Sequence, residues 1–243
     1  MSNIPGPATN IGQNLKLVHH SISAGCRYVR LIFGEYSQHI DLIEEKYWQR
    51  RPQLLSLNPA GELPVFVENN IEPLCGAIVI GEYLDETRGA LMREKRLMPE
   101  NPHQRAEVRR LVEWFMIKMQ AEVVHYLVGE RVLKLLMSQQ EGGGPPDAGT
   151  LRAGRINLKN HMRYISHLAS TRNWLAGPHI SHADMACAAV ISILDYLGEI
   201  SWNDEPVLKE WYARMKSRPS FRGLLADKIT GLAPVSHYVD LDF

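Results

Sequence analysis

Ser23 stands where a short apolar run, Leu15 to His20, gives way to helical spacing, so its hydroxyl belongs at the start of a helix. A hydroxyl there has two uses. It caps the helix by accepting a backbone N–H, or it donates to an anion held at the positive end of the helix dipole. Cys26, one turn further on, reads as a small buried residue before a nucleophile, because a reactive thiol needs a lowered pKa. With Cys75 and Cys187 it makes a set of three, too few and too far apart for a disulfide framework or a zinc site. Reduced thiols in a cytosol fit that usage. His19 and His20 are neighbours in a strand, so their side chains leave on opposite faces, one expected buried and one exposed, and do not chelate one metal together. No metal-ligand spacing recurs among the ten histidines. The glycine run of EGGGPPDAG follows no strand, so it breaks the chain rather than cradling a phosphate.

The elements that must position these groups fall into two halves. After the first strand and the helix from Ser23 to Phe33, His39 to Ile43 offers a second strand, and the stretch through Trp48 to Leu55 suits a short irregular helix. Pro64 to Val67, the Asn69-Asn70 turn signal and Ile71 to Leu74 read as a hairpin, followed by a helix from Gly76 to Glu86. The order β-α-β-α-β-β-α joins a parallel βαβ unit to an antiparallel hairpin. A sheet with helices on both faces accommodates it, which is the thioredoxin-like pattern. Residues 1–14 read as a flexible leader, 15–88 as this α/β domain, and 89–101, polar and basic with Pro99 near its end, as a linker.

Only helical signals follow, so 102–228 is expected to be all-α. Val108, Leu111, Val112, Phe115, Met116, Met119 and Val123 form the stripe of a long amphipathic helix. A second helix is expected over Leu151 to Ser170, and Ala183 to Leu197, apolar nearly all round, is the central buried one. Shorter helices near Val207 to Lys216 and Ser220 to Ala226 complete the bundle, leaving a tail over 229–243. Lys plus Arg equals Asp plus Glu at 27 each, so no net field draws the chain to nucleic acid or an anionic membrane. No stretch approaches the ~20 apolar residues of a membrane span.

Four ordered motifs then resemble one family, the cytosolic glutathione transferases: LNPAGELPVFVE, GAIVIGEYLDE, NPHQRAEVRRLVEWF and WLAGPHISHADMACAAV. In the last, Ser181 and Asp184 have capping-box spacing, with Ile180 placed as a hydrophobic staple for the helix that founds the domain core. The resemblance implies a thioredoxin-like N-terminal domain with an all-helical C-terminal domain, and a two-fold homodimer. It implies a cis bond before Pro64, so that Leu63, Pro64 and Val65 supply a backbone clamp for glutathione. Ser23, in SISAGCRYVR, falls at the position whose hydroxyl lowers the thiol pKa of bound glutathione.

The chain departs from that pattern after the second hairpin strand. Family members carry an acidic residue and then a serine there, holding the charged end of the γ-glutamyl group. Here the positions read Leu74 and Cys75. An aliphatic side chain pairs no ammonium, and a thiol is a weak donor to a carboxylate. Losing two charge-assisted contacts of ~1.5–3 kcal/mol each weakens binding by a hundredfold or more. The ending ITGLAPVSHYVDLDF alternates apolar and acidic residues, Tyr238, Asp240, Leu241, Asp242 and Phe243, either as a frayed tail or as an anchor. This ending and the missing acid–serine pair resemble a bacterial glutathione-transferase-like family that binds the tubulin-like division protein FtsZ. The resemblance thus implies a cytoplasmic, non-catalytic FtsZ partner without a cofactor. The alternatives are an active transferase using glutathione as substrate, with a hydrophobic second site in the helical domain, and a thiol enzyme using Cys26 or Cys75.

Overall fold

The computed structural model describes residues 15–69 and 71–241. The expected leader, Asn70, Asp242 and Phe243 lie outside the described residues. The N-terminal domain runs β1 (Lys16–His19), α1 (Ala24–Glu35), β2 (Asp41–Glu44), α2 (Pro52–Leu57), β3 (Val65–Val67), β4 (Leu74–Cys75) and α3 (Ala77–Thr87). The sheet order is β2-β1-β3-β4, with β1 parallel to β2 and antiparallel to β3, and β3 antiparallel to β4. Because side chains alternate along a strand, Leu17 and Phe66 enter the main core with α1 and α3. Val18 and Val65 turn to the other face, where Leu54 of α2 covers them. Helices on both faces are therefore present, as the element order requires. The second hairpin strand is shorter than the pattern predicts, because Pro73 has no N–H to give the ladder.

The segment read as a linker forms two 3-10 turns, Gly89–Leu91 and Arg93–Lys95, and then buries Leu97 and Met98. Leu97 O accepts the N–H of His182 at 3.1 Å, which pins the segment across the domain junction. The helical domain opens with α4, capped by Asn101, which begins as Pro102–Glu113 and continues through π-type turns over Trp114–Val124 and Gly129–Leu133. Next come α5 (Ala148–Thr171), α6 (His182–Tyr196), α7 (Pro206–Lys216) and α8 (Arg222–Leu225). Every residue of α6 is buried. Among the described residues, no helix is long and apolar enough to cross a membrane.

The two domains share one continuous apolar cluster. Polar bonds fix their register. Tyr28 OH and His182 Nδ1 lie 2.9 Å apart, Glu35 takes a two-pronged bond from Arg218 at 2.6 and 2.7 Å, and Arg27 reaches Ser192 Oγ at 2.8 Å. Such charge-assisted bonds orient the halves more than they stabilise them, since the desolvation of a buried ion offsets much of its attraction.

Candidate functional site at the α1, cis-proline and α3 junction

Ser23 caps α1: its backbone is extended and its Oγ accepts the N–H of Cys26 at 3.3 Å. The side chain is half-buried, so the hydroxyl keeps its proton for a further acceptor. Cys26 is fully buried, and burial pushes its thiol up to about 11. That rules it out as a thiolate nucleophile at neutral pH.

The Leu63–Pro64 bond is cis. Three elements meet beside it, and Gly25 shows how closely. A Cβ there would lie 3.0 Å from Ala77 Cβ and 3.2 Å from Pro64 Cδ, so the first turn of α1 presses on both the proline and the start of α3. Gly76, with φ of 92°, makes the turn from β4 into α3 in a conformation that side chains avoid. Its N–H donates to Pro64 O at 3.1 Å.

These bonds correct part of the expected backbone clamp. Pro64 has no N–H and its carbonyl is engaged by Gly76, while Val65 sits in the ladder between Val18 and Cys75. Leu63 is the half-buried residue of that turn outside any strand. Leu74 packs against the main core. Cys75 packs against the small core of Val18, Leu54 and Val65, its Sγ 3.5 Å from Leu57 O, and burial raises its pKa. Neither residue offers a carboxylate or a hydroxyl to a ligand. Cys75 is only half-buried, and its thiol, raised by burial and with no cation beside it to lower it, is a weak candidate for a thiolate.

Sequence reasoning missed an aromatic wall beside this junction. The His20 ring lies 5.2 Å from Trp48 and 6.3 Å from Tyr47. Tyr47 joins Leu63 and Cys75 on the small core. Burial pushes the Tyr47 phenol up to about 12, with the Cys26 sulfur adding to it. Burial, with Lys46 nearby, pulls His20 down to about 4, so the wall is uncharged at neutral pH. The adjacent Tyr-Trp pair in a polar stretch was the available signal. The expectation of one buried and one exposed histidine is corrected, since His19 and His20 are both 5% exposed. The segment after β2 folds back over His20. Among the described residues no group of three His, Cys, Asp or Glu side chains is placed to hold a metal.

The cap of α6 stands as its spacing requires. Asp184 Oδ2 accepts the Ser181 N–H at 3.0 Å, and Ser181 Oγ accepts the N–H of Ala183 at 3.3 Å. The second carboxylate oxygen reaches further, to Leu175 N at 2.9 Å and Trp211 Nε1 at 3.1 Å.

Over its described residues, 229–241, the tail packs on its own chain. Tyr238 is fully buried, its OH donating to Leu224 O at 3.1 Å and accepting from Arg27 at 3.0 Å, with its ring 5.0 Å from Tyr196. This corrects the reading of Tyr238 as a partner contact, because its side chain is spent inside its own chain. Asp240 is exposed, and its carbonyl is held by Lys216. Leu241, 42% exposed, lines a hollow of about 490 Å³ with Trp202 and Pro206.

The geometry agrees with comparisons to known proteins. Residues 17–94 match the model of the glutathione S-transferase N-terminal domain, and residues 155–228 that of the C-terminal domain. FtsZ-localized protein A of Caulobacter vibrioides is 41% identical over 230 residues, spanning 93% of this chain and 97% of that protein. A crystal structure described as a glutathione S-transferase from Sinorhizobium meliloti is 55% identical, with a TM-score of 0.93 over 94% of this chain and 99% of that one. The structure of FzlA from C. crescentus superposes with a TM-score of 0.88 at 41% identity, over 95% and 100% of the two chains. With both domains matched in order and a relative spanned almost end to end, the chain belongs to the glutathione S-transferase superfamily, alongside FtsZ-localized protein A.

Proposed function

We propose that this chain is a cytoplasmic, homodimeric, non-catalytic binding protein of cell division that engages FtsZ through its helical domain and tail. The observation that carries this reading is the β4 turn, where Leu74 and Cys75 pack into apolar clusters and leave the charged end of glutathione without a partner. The scaffold is kept while its ligand clamp is lost, which is what a protein selected for its surface requires. The name of FtsZ-localized protein A, matched along nearly its whole length, supports FtsZ as the partner. A homodimer fits the exposed apolar side chains of Val79 on α3 and Ile117 on α4, 56% and 55% accessible. Ile117 lines a hollow of about 370 Å³ between the two helices.

The tail's last residues, Asp240, Leu241, Asp242 and Phe243, are the proposed contact. A chain ending at Asp240 tests the last three of them, because it keeps Tyr238 in the core and the Lys216 bond in place. It is expected to melt with the full-length protein and to lose co-sedimentation with FtsZ polymers. Full co-sedimentation by that shortened chain would remove Leu241, Asp242 and Phe243 from the interface.

One observation favours a second reading, an active glutathione transferase. Ser23 is half-buried at the start of α1, two residues before the Gly25 that packs on the cis-proline, and its hydroxyl proton can turn to a thiolate, with Leu63 completing the turn. Glutathione binding is what separates the two readings.

A further inference from the structure

α5 is a 24-residue helix with no Asp or Glu, in a chain whose charges balance at 27 each. Its solvent face carries Arg152, Arg155, Lys159 and Arg163, at spacings of three, four and four that keep them on one side of a helix. Ile156 lies among them, 57% exposed. Leu158, Met162, Ile165 and Leu168 are buried along the adjoining side, so the cations are fixed on a rigid base.

This face borders a concavity. A groove of about 950 Å³ runs between α5 and the turn after α6, with Arg131, Arg155, Lys159 and Arg163 on its walls and Leu158 and Leu197 within it. A second hollow of about 410 Å³ continues it over Arg152 and Ile156, sharing Arg155 and Lys159. Glu199 holds Arg131 at 2.6 Å and Arg155 at 2.8 Å, which orients both guanidinium groups. Arg152, Lys159 and Arg163 have no ion-pair partner among the described residues. Asp204 and Glu205 close one end, and Glu205 is engaged by Ser166 at 2.7 Å.

The spacing selects a ligand shape. At ~1.5 Å of rise per residue, Arg152 and Arg163 stand about 16 Å apart along the axis, the span of roughly five extended residues at ~3.3 Å each. We propose that this groove docks an extended acidic segment of a partner protein, with alternate carboxylates on Arg152, Lys159 and Arg163 and an apolar side chain over Ile156. Charge complementarity sets both the partner and the on-rate. A bilayer is a poorer occupant, because the cations line a concavity that a flat headgroup surface does not enter. The proposal is independent of the tail contact and of glutathione binding.

The test uses the full chain and a fluorescein-labelled heptapeptide with six acidic residues around a central leucine, read by anisotropy. Arg152→Glu, Lys159→Glu and Arg163→Glu together are expected to weaken binding by roughly tenfold or more at low salt, where surface charge is little screened. Lys95→Glu, Arg222→Glu and Lys228→Glu together make the same change in net charge away from the groove, and are expected to stay within about twofold of the parent. Equal weakening by both triple variants would reduce the effect to net charge and overturn the proposal. So would absence of peptide binding to the parent at low salt, or α5-dependent sedimentation with phosphatidylglycerol vesicles in place of peptide binding.

Discussion

Replacing Asp184 by alanine is expected to cost roughly 3–5 kcal/mol of folding stability, among the largest effects of any single substitution outside the apolar core. The carboxylate is fully buried and accepts from the N–H groups of Ser181 and Leu175, from Ser181 Oγ and from Trp211 Nε1. An isolated cap of this kind is worth ~1 kcal/mol. Here the same side chain also ties the loop before α6 to the tryptophan of α7, so its loss orphans three buried N–H donors in different elements. Burial raises the carboxyl's own pKa, so part of the loss is offset by removing a group that is costly to bury. At ~2–4 °C per kcal/mol for a chain of this size, thermal melting should fall by about 10 °C. Asp184→Asn keeps one acceptor but sets an NH2 against a donor, and should fall between. Melting of the alanine variant within about 2 °C of the parent would show that the loop and α7 are held by packing alone.

The second large effect is expected at Arg27. Its guanidinium is fully buried and donates to Ser21 O at 2.7 Å, Ser192 Oγ at 2.8 Å and Tyr238 OH at 3.0 Å, with Asp227 at 3.5 Å. The group therefore joins the loop before Ser23, the central helix α6 and the tail. Three of its four partners keep second bonds, Tyr238 to Leu224 O, Ser192 to Ala189 O, and Asp227 to Arg30 at 2.8 Å, while Ser21 O loses the 2.7 Å bond from Arg27. Arg27→Ala thus leaves a cavity rather than several orphaned groups, at about 3 kcal/mol. Tyr238→Phe takes an acceptor from Arg27 and one of two donors from Leu224 O, which keeps the Asp227 N–H at 3.2 Å, at about 1 kcal/mol. Because the two side chains share a bond, the double variant should lose less than the sum by about 1 kcal/mol. In Arg27→Ala the tail should become the first site of limited proteolysis, measured by mass spectrometry of the fragments. Strict additivity, with the tail still protected, would show that Tyr238 is held by its ring contacts alone.

Much of this architecture was legible in the residues because local signals agreed with one another. Alternation in β1 and β3 assigns Leu17 and Phe66 to one face and Val18 and Val65 to the other. Capping at Ser23 and Ser181 marks two helix starts. The departures arise where tertiary context decides. Leu97 and Met98 lie in a segment with linker composition, yet they are buried because His182 of a distant helix binds the adjoining carbonyl. Tyr238 sits in an apolar-acidic alternation that looks like an exposed anchor, and what buries it is Arg27, 211 positions away. The site was read less fully. Leu74 and Cys75 were visible as the wrong residue types for a charged ligand, since type alone settles donor capacity. The Tyr47, Trp48 and His20 wall was not, because its stacking depends on how the loop after β2 returns to the sheet. The engagement of Pro64 O by Gly76 likewise depends on a turn geometry that no spacing encodes.

The β4 turn, with Leu74 and Cys75, has no carboxylate or hydroxyl to hold the γ-glutamyl end of glutathione. Isothermal titration of the full chain with reduced glutathione at millimolar concentration addresses it directly. No saturable heat is predicted for the parent, because two charge-assisted contacts worth ~1.5–3 kcal/mol each are missing. The paired change Leu74→Glu with Cys75→Ser should bring measurable binding back. One-to-one binding to the unaltered chain with a Kd below about 0.1 mM would contradict the account, because some other group would then be anchoring the γ-glutamyl end.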